Sequence, residues 1–386
     1  MVACDDLILA LRSRDNYGGS SVTDSPGETL ELPLLADWLQ SANAEHFNLW
    51  PKHCLEMTGS EILRPKEYNM TASYFWRPPE QHEVNLYQVR NLLVTWQCDL
   101  FYENASFTAG HVTPGYTHRG STSRLESNPR LIEAELTCPS TFVFLHNPVG
   151  TYGHFMLEML PKIAVYRQLV AVVPTLPIIV TSTAPAYVTR WIELLVPQAN
   201  VVRVPEGKTM SVKRAFCVDM FLSHYFAGGI FKDFLGICRG LPGVVCSSAK
   251  KIWVSRRTRR EALSDFRTLA NAAEIEEFVA NEGFHIVEPE KLPIVQQIAI
   301  FTHAEVIGGE LSSGLHNAVF SLPGTRLVQI NPFNAVQRNL ALSLGHLLES
   351  IVPEDGVLRG YPGKPEVPQN YTVELSQIKE AILEYR

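Results

Sequence analysis

The stretch from Glu305 to Ile330, EVIGGELSSGLHNAVFSLPGTRLVQI, decides the reading of the fold. EVIGGE is a short apolar run closed by two glycines and a glutamate, and it reads as a strand. SSGLHNAVFS reads as a short helix, with Ser312 or Ser313 placed to cap it. Pro323-Gly324 marks a turn, and TRLVQINP reads as the next strand. Upstream, KIWVSRR (251–257) is a strand that runs into arginines, and NAAEIEEFVANEG (271–283) is a helix with Gly283 at its C-cap. FHIVEP (284–289) is a strand and LPIVQQIAIFTHA (292–304) a helix. Strands and helices in strict alternation predict parallel βαβ units, for which a Rossmann-like half is the economical architecture.

A similar alternation precedes this one. TFVFLHNP (141–148) reads as a buried strand, followed by an apolar, helix-like run from GTYGHFMLEMLPK (150–162) onward. LPIIVTS (176–182), APAYVTRWIELLV (184–196) and NVVRVPEG (200–207) continue it as strand, helix and strand. Between the two series lies CRGLPGVVCSSAK (238–250), whose Gly, Pro and Ser mark a domain boundary. The expected organisation is an N-terminal domain over 1–245 with an irregular extension over 1–70, and a second domain over 246–350. A linker and final helix fill 351–386, and the runs over 84–107 fit short strands. The fold class expected is α/β, with two Rossmann-like domains facing a cleft. In open parallel sheets ligands sit outside the carboxyl ends of the strands, so those ends carry the functional information.

The totals exclude several classes. The chain of 386 residues is 46% hydrophobic and 19% charged, enough for large cores and unlike a disordered chain. A net charge of -7 speaks against nucleic acid as a partner. Seven scattered cysteines form no Cys-x-x-Cys pair, which leaves no zinc ribbon or thioredoxin-type motif and fits reduced thiols in the cytoplasm. The opening MVACDDLILALRSRDN carries two acids before a short apolar run, unlike a signal peptide. LVAVVPTLPIIV, broken by Pro174 and Pro177, falls short of the roughly 20 residues a bilayer span needs. The chain reads as soluble and cytoplasmic, with peripheral membrane contact open.

Three groups of residues stand at strand ends. Arg256, Arg257, Arg259 and Arg260 crowd one strand-to-helix loop, either as a solvated basic loop or as an anion site, since Arg grips phosphate in a bidentate fork. Gly308, Gly309, Glu310, Leu311, Ser312, Ser313 and Gly314 form either a tight connection or a turn whose small residues admit a ligand to the helix amides. Its spacing is not G-x-G-x-x-G, so a nicotinamide dinucleotide fingerprint is absent. His316 and Asn317 follow on the short helix, as structural polar groups or ligand contacts. Upstream, His154 and Glu158 stand four apart and share a helix face. They are either a pair that fixes the helix or a general base with its orienting carboxylate. Pro161 is expected to end or kink that run. Asp219, His224 and Glu310 are the other candidate bases.

Together, GTYGHFMLEMLPK, the Ser-Arg-Arg of 255–257 and GGELSSGLHNAVFSLPG (308–324) resemble glycosyltransferase family 61. That family shows a turn and His before an apolar helix, a Ser-Arg-Arg motif, and a segment of the type G-x-H-G-x-G-L-x-N-x-x-F-x-x-P-G. Leu311 stands at the family's His, Ser312 at the following Gly, and Lys162 where Arg is usual. The resemblance implies a two-domain transferase of the GT-B type that inverts the anomeric carbon. The C-terminal domain would bind a nucleotide sugar, with uridine diphosphate the expected carrier, through Arg256, Arg257, Gly309, Glu310, Ser312, Ser313, Gly314, His316 and Asn317. The N-terminal domain would take a glycan or polysaccharide acceptor, with His154 and Glu158 catalytic. No cofactor beyond the nucleotide-sugar co-substrate is expected. No metal is expected either, because the chain lacks Asp-x-Asp, the acidic motif that holds a divalent ion on the diphosphate. Two rivals stand beside this reading. One is a non-catalytic nucleotide-sugar or glycan binder, which Leu311 favours. The other is a different nucleotide-dependent enzyme such as an epimerase, against which the missing dinucleotide fingerprint speaks.

Overall fold

In the first half of the chain a long antiparallel pair flanks a parallel βα series. The computed structural model describes residues 84–96, 136–144, 152–218, 229–258, 267–359 and 369–383, with short strands at 46–50, 53–54, 60–64, 80–81, 100–102 and 105–106. The chain divides into two units: Met1–His53, His82–Leu222 and Gly228–Phe234 form one, and Cys54–Gln81, Ser223–Ala227 and Leu235–Arg386 the other.

The first unit is built on β1 (His46–Trp50), β2 (Val84–Thr95), β3 (Leu100–Tyr102), β4 (Ala105–Ser106), β5 (Leu136–Cys138), β6 (Thr141–Val143), β7 (Ile178–Thr181), β8 (Val201–Val204) and β9 (Thr209–Val218). The order is β8-β7-β6-β9-β2-β3-β4, with β1 on β2 and β5 on β9. β6 to β9 run parallel, whereas β9 and β2 pair antiparallel. The expected Rossmann-like domain is therefore a mixed sheet here. The runs over 84–107 form the antiparallel side. α1 (Lys162–Val172) and α2 (Ala186–Leu195) supply the crossovers. α2 buries Val188, Trp191, Ile192 and Leu195, the i, i+3, i+4, i+7 stripe of an amphipathic helix. Phe142 and Tyr166 pack with ring centres 5.3 Å apart, and the Tyr166 hydroxyl donates to Leu176 O at 2.8 Å.

The second unit follows α3 (Gly229–Arg239) and holds β10 (Lys251–Val254), β11 (His285–Val287), β12 (Val306–Glu310), β13 (Arg326–Ile330) and β14 (Leu347–Ile351). The order is β11-β10-β12-β13-β14, with Ser60–Arg64 as a sixth strand beside β14. Every pairing is parallel. The order reverses between β10 and β12, so that is the switch point where ligands of such sheets bind. The helices are α4 (Ala272–Asn281), α5 (Ile294–His303), α6 (Val336–Ser343) and α7 (Leu375–Leu383). Gly283 closes α4 with φ +83°, donating to Ala280 O while Phe284 donates to Val279 O. That pair of bonds is a Schellman cap.

Three boundaries differ from the sequence reading. Ser60–Arg64, in the expected irregular extension, covers the edge of β14, which a parallel sheet would otherwise leave open. α6 and β14 extend the alternation beyond the strand taken as last. Residues after 350 are part of the second core: Asn370–Tyr371 pairs with Thr268–Leu269, and Tyr371, Val373, Ile378, Ala381 and Ile382 pack with Trp253.

Gly308 and Gly309 serve this packing. A Cβ on Gly308 would stand 2.3 Å from the Trp253 ring, and one on Gly309, where φ is +154°, 2.8 Å from Val254 O. Gly308→Ala should cost about 1–3 kcal/mol through overpacking. Gly236→Ala, on α3 with nothing among the described residues within 4 Å of the new methyl, should be neutral or stabilising. Urea midpoints of the two variants check this, and equal midpoints would contradict the packing role of Gly308.

Candidate active site

In the first unit, the helical run opens with one α-turn, Tyr152–His154, then a π-turn, Phe155–Met159. Pro161 has no N–H to donate to Leu157, so the regular ladder cannot pass through it. The chain widens instead: Leu160 N donates to Phe155 O at 2.8 Å. Pro161 then sits in helical geometry at the N-cap of α1, and the run continues. The expected end or kink is thus a π-bulge, a feature frequent at functional sites. Within it His154 Nδ1 lies 2.7 Å from Glu158 Oε1. Glu158 is buried, and its Oε2 has no hydrogen-bond partner among the described residues. The His154 side chain keeps 19% exposure. Tyr187 stacks beside the turn against Phe155 and Tyr152, and burial pushes its hydroxyl up to about 12. Lys162 is fully buried, and burial raises the Cys217 thiol to about 12 against the opposing pull of the Lys162 charge. Asp219 and His224 lie outside the described residues.

In the second unit, the turn after β10 sits at the switch point and is gripped by three carboxylates. Glu310, at the end of β12, accepts from Arg256 Nη1 at 3.1 Å and from the Tyr371 hydroxyl at 2.9 Å. Burial and the Glu310 charge hold that hydroxyl well above its ordinary range. Glu276, on α4, accepts from Ser255 Oγ at 2.7 Å and from Arg257 Nη2 at 2.6 Å. Glu288, after β11, accepts from Thr258 N at 3.2 Å and from the Thr258 hydroxyl, and Lys291 at 2.8 Å joins the hydroxyl in lowering its carboxyl. The two arginines therefore differ. Arg256 is 7% exposed on its side chain and Arg257 59%.

The Gly/Ser segment is less open than its composition suggests. Ser312 Oγ accepts from Leu315 N at 3.3 Å, Ser312 O from His316 N, and Gly314 O from Asn317 N. The short helix is a 3-10 helix, Leu315–Phe320, and these amides are taken internally. Gly314, and not Ser312 or Ser313, stands at the N-cap, while the Ser312 hydroxyl accepts from the first helical amide. Gly314 packs against Val254. Leu311 is buried, and its carbonyl accepts from Arg267 Nη2 at 2.8 Å while that guanidinium lies 4.2 Å above the Phe333 ring. His316 Nδ1 is 2.7 Å from Gln337 Oε1, and Asn317 Nδ2 donates to Gly314 O at 3.0 Å.

The structure thus brings together Arg256 with Glu310, Arg257 with the unforeseen Glu276, and His154 with Glu158. Glu276 was legible: it falls on the buried stripe Ala272, Ile275, Glu276, Val279, where a glutamate is out of place unless paired. Among the described residues no group of three His, Cys, Asp or Glu could hold a metal ion, and no helix is long and apolar enough to cross a membrane.

The family model described as Glycosyltransferase 61 matches residues 152–328. Over that span the chain is similar to glycosyltransferase family 61. The matched span begins at the α-turn that carries His154 and ends within β13, so it contains the first motif from Tyr152 onward and the other two entirely. No curated protein matches the chain.

The 3-10 helix is clasped at its far end. Arg239 donates to Phe320 O at 3.0 Å and Ser321 O at 2.7 Å. Ser321 Oγ spends its proton on Ala318 O, so the His346 Nε2 at 3.1 Å is the donor to it. Burial lowers His346 from 6.5 to about 4. The unfolded chain therefore takes up this proton near 6.5 and the folded chain only near 4. The stability is complete above 6.5 and is lost as pH falls towards 4, by about 3 kcal/mol in all. Melting curves between these limits should show a steeper acid loss for wild type than for His346→Gln; equal slopes would refute it.

Proposed function

We propose that the protein is an inverting glycosyltransferase that moves a sugar from a uridine diphosphate sugar to a glycan or polysaccharide acceptor. Its fold would be of the GT-B type, with the donor in the second unit and the acceptor in the first. It would act in the cytoplasm. The observation that carries the reading is the family 61 match, which takes in both the π-turn with His154 and Glu158 and the Ser-Arg-Arg turn at the switch point.

Inversion is a single displacement: a base takes the acceptor hydroxyl proton while the nucleoside diphosphate leaves with growing negative charge. His154 is the base in this proposal. With its Nδ1 proton held on Glu158 Oε1, a neutral imidazole takes the incoming proton at Nε2 and the buried carboxylate stabilises the cation that forms. On the donor side Arg257 meets the diphosphate, while Arg256 is committed to Glu310 and keeps the turn in place. A non-catalytic binder with the same fold is the second reading, favoured by buried Leu311 where the family's histidine is expected.

His154→Ala should lower kcat by about 10²–10⁴ with little change in donor affinity, and Glu158→Gln should cost less because it disturbs only orientation. Turnover per folded molecule and melting temperature, measured on the same sample, separate this from a structural pair. Normal turnover with lowered stability would rule out His154 as the base. A protein that binds donor and never transfers sugar is the non-catalytic binder. Because the sequence has no Asp-x-Asp, transfer should persist in excess EDTA. Loss of turnover that Mg²⁺ or Mn²⁺ restores would overturn metal independence.

A further inference from the structure

We propose that Glu276 is a positioning residue for donor binding, which holds Arg257 so that the rest of its guanidinium engages the donor's diphosphate. The inference rests on the glycosyltransferase reading for the identity of the donor, and on geometry for the division of labour. Glu276 sits on the buried stripe of α4, and its carboxylate side chain is 7% exposed. One oxygen accepts from the Ser255 hydroxyl at 2.7 Å, and the other accepts from Arg257 Nη2 at 2.6 Å. Ser255 Oγ in turn accepts from Arg257 N at 3.1 Å, so Glu276 holds both the backbone of Arg257, through Ser255, and its side chain.

The Arg257 side chain is nevertheless 59% exposed. A guanidinium presents five N–H donors in a rigid fork. One edge can stay on Glu276 while another meets an anion outside the carboxyl end of β10. Lysine cannot do both, because its ammonium is a single point. Release of Glu276 to let Arg257 swing away is unfavourable, since it takes the paired cation from a buried carboxylate. Arg257 therefore works as a bridge between the fold and the anion. Arg256 cannot share that role, because its guanidinium lies buried on Glu310.

The test is calorimetric titration of the full chain with inorganic pyrophosphate and with UDP. Wild type, Arg257→Ala, Arg257→Lys, Glu276→Gln and the Arg257→Ala/Glu276→Gln double variant are compared, with melting temperatures for each. Gln keeps an acceptor for Ser255 and removes the charge that holds Arg257. Glu276→Gln should weaken both ligands by about tenfold or more, on the scale of one charge-assisted bond. Arg257→Lys should fall with Arg257→Ala, and the double variant should bind no more weakly than Arg257→Ala alone, because Glu276 acts only through that side chain.

Several results overturn the proposal. Tighter binding by Glu276→Gln would mean that Glu276 competes with the ligand. Unchanged binding with a lowered melting temperature would mean a structural pair. Additive losses, or wild-type affinity in Arg257→Lys, a surface variant whose folding is not at risk, would mean that no bridge exists. Failure of wild type to bind either ligand overturns it as well. Sugar transfer by wild type from a panel of nucleotide sugars is scored separately and judges the glycosyltransferase reading alone.

Discussion

Glu310 is the constraint on which the second unit turns. It ends the central strand β12 with its carboxylate 5% exposed, and an ionised carboxylate in that position demands partners. Arg256 brings the turn after β10 and Tyr371 brings the C-terminal segment. Removing one partner of a buried pair costs about 3–5 kcal/mol, far more than a surface bridge is worth. Glu310 therefore ties both the Ser-Arg-Arg turn and the Asn370–Tyr371 strand to the carboxyl end of the sheet, in addition to the holds of Glu276 and Glu288 on the turn. The switch point is rigid before any ligand arrives.

The strand–helix alternation was readable because β10, β12 and β13 are short apolar runs ended by Gly, Arg or Pro, and because α4 and α5 carry regular buried stripes. What escaped has physical causes. α6 buries Gln337 and Asn339 along with Val336 and Leu340, so its polar residues lie inside and no amphipathic pattern marks it. Ser60–Arg64 joins β14 across almost three hundred residues, and five residues carry no local signal of such a partner. In the first unit β6, β7 and β8 were visible, whereas β9 was not read. The antiparallel side was read only as short strands over 84–107; the length and pairing of β2 escaped, because a long strand is defined by its partner β9 and not by its own composition.

At the site, the i, i+4 rule found His154 and Glu158, although the turn that joins them is a π-turn. The signal for that was Pro161, since a proline that does not stop a helix must displace its hydrogen bonds. The glycines of the β12 segment were read as room for a ligand. Gly308 and Gly309 instead admit Trp253 and Val254, so a small residue at a strand end records close packing as readily as binding. The expected donation of helix amides to a diphosphate also meets a limit, because Ser312 and Gly314 already accept from Leu315, His316 and Asn317.

One pattern recurs across the candidate groups. His154 is held by buried Glu158, Arg257 by buried Glu276, Arg256 by buried Glu310, and His316 by buried Gln337. Fixing a long side chain costs up to about 2 kcal/mol of rotamer freedom, and a ligand that must order the group bears that cost in its affinity. When the fold orders the group first, folding free energy bears it instead. A buried carboxylate suits this use, since its own desolvation makes it cling to the cation that neutralises it. The exposed fraction then distinguishes the roles. Arg256 is enclosed with its carboxylate and can only stabilise the turn, whereas Arg257 and His154 keep an outward surface. Those two are the groups that have been oriented by the fold and are still able to meet a substrate.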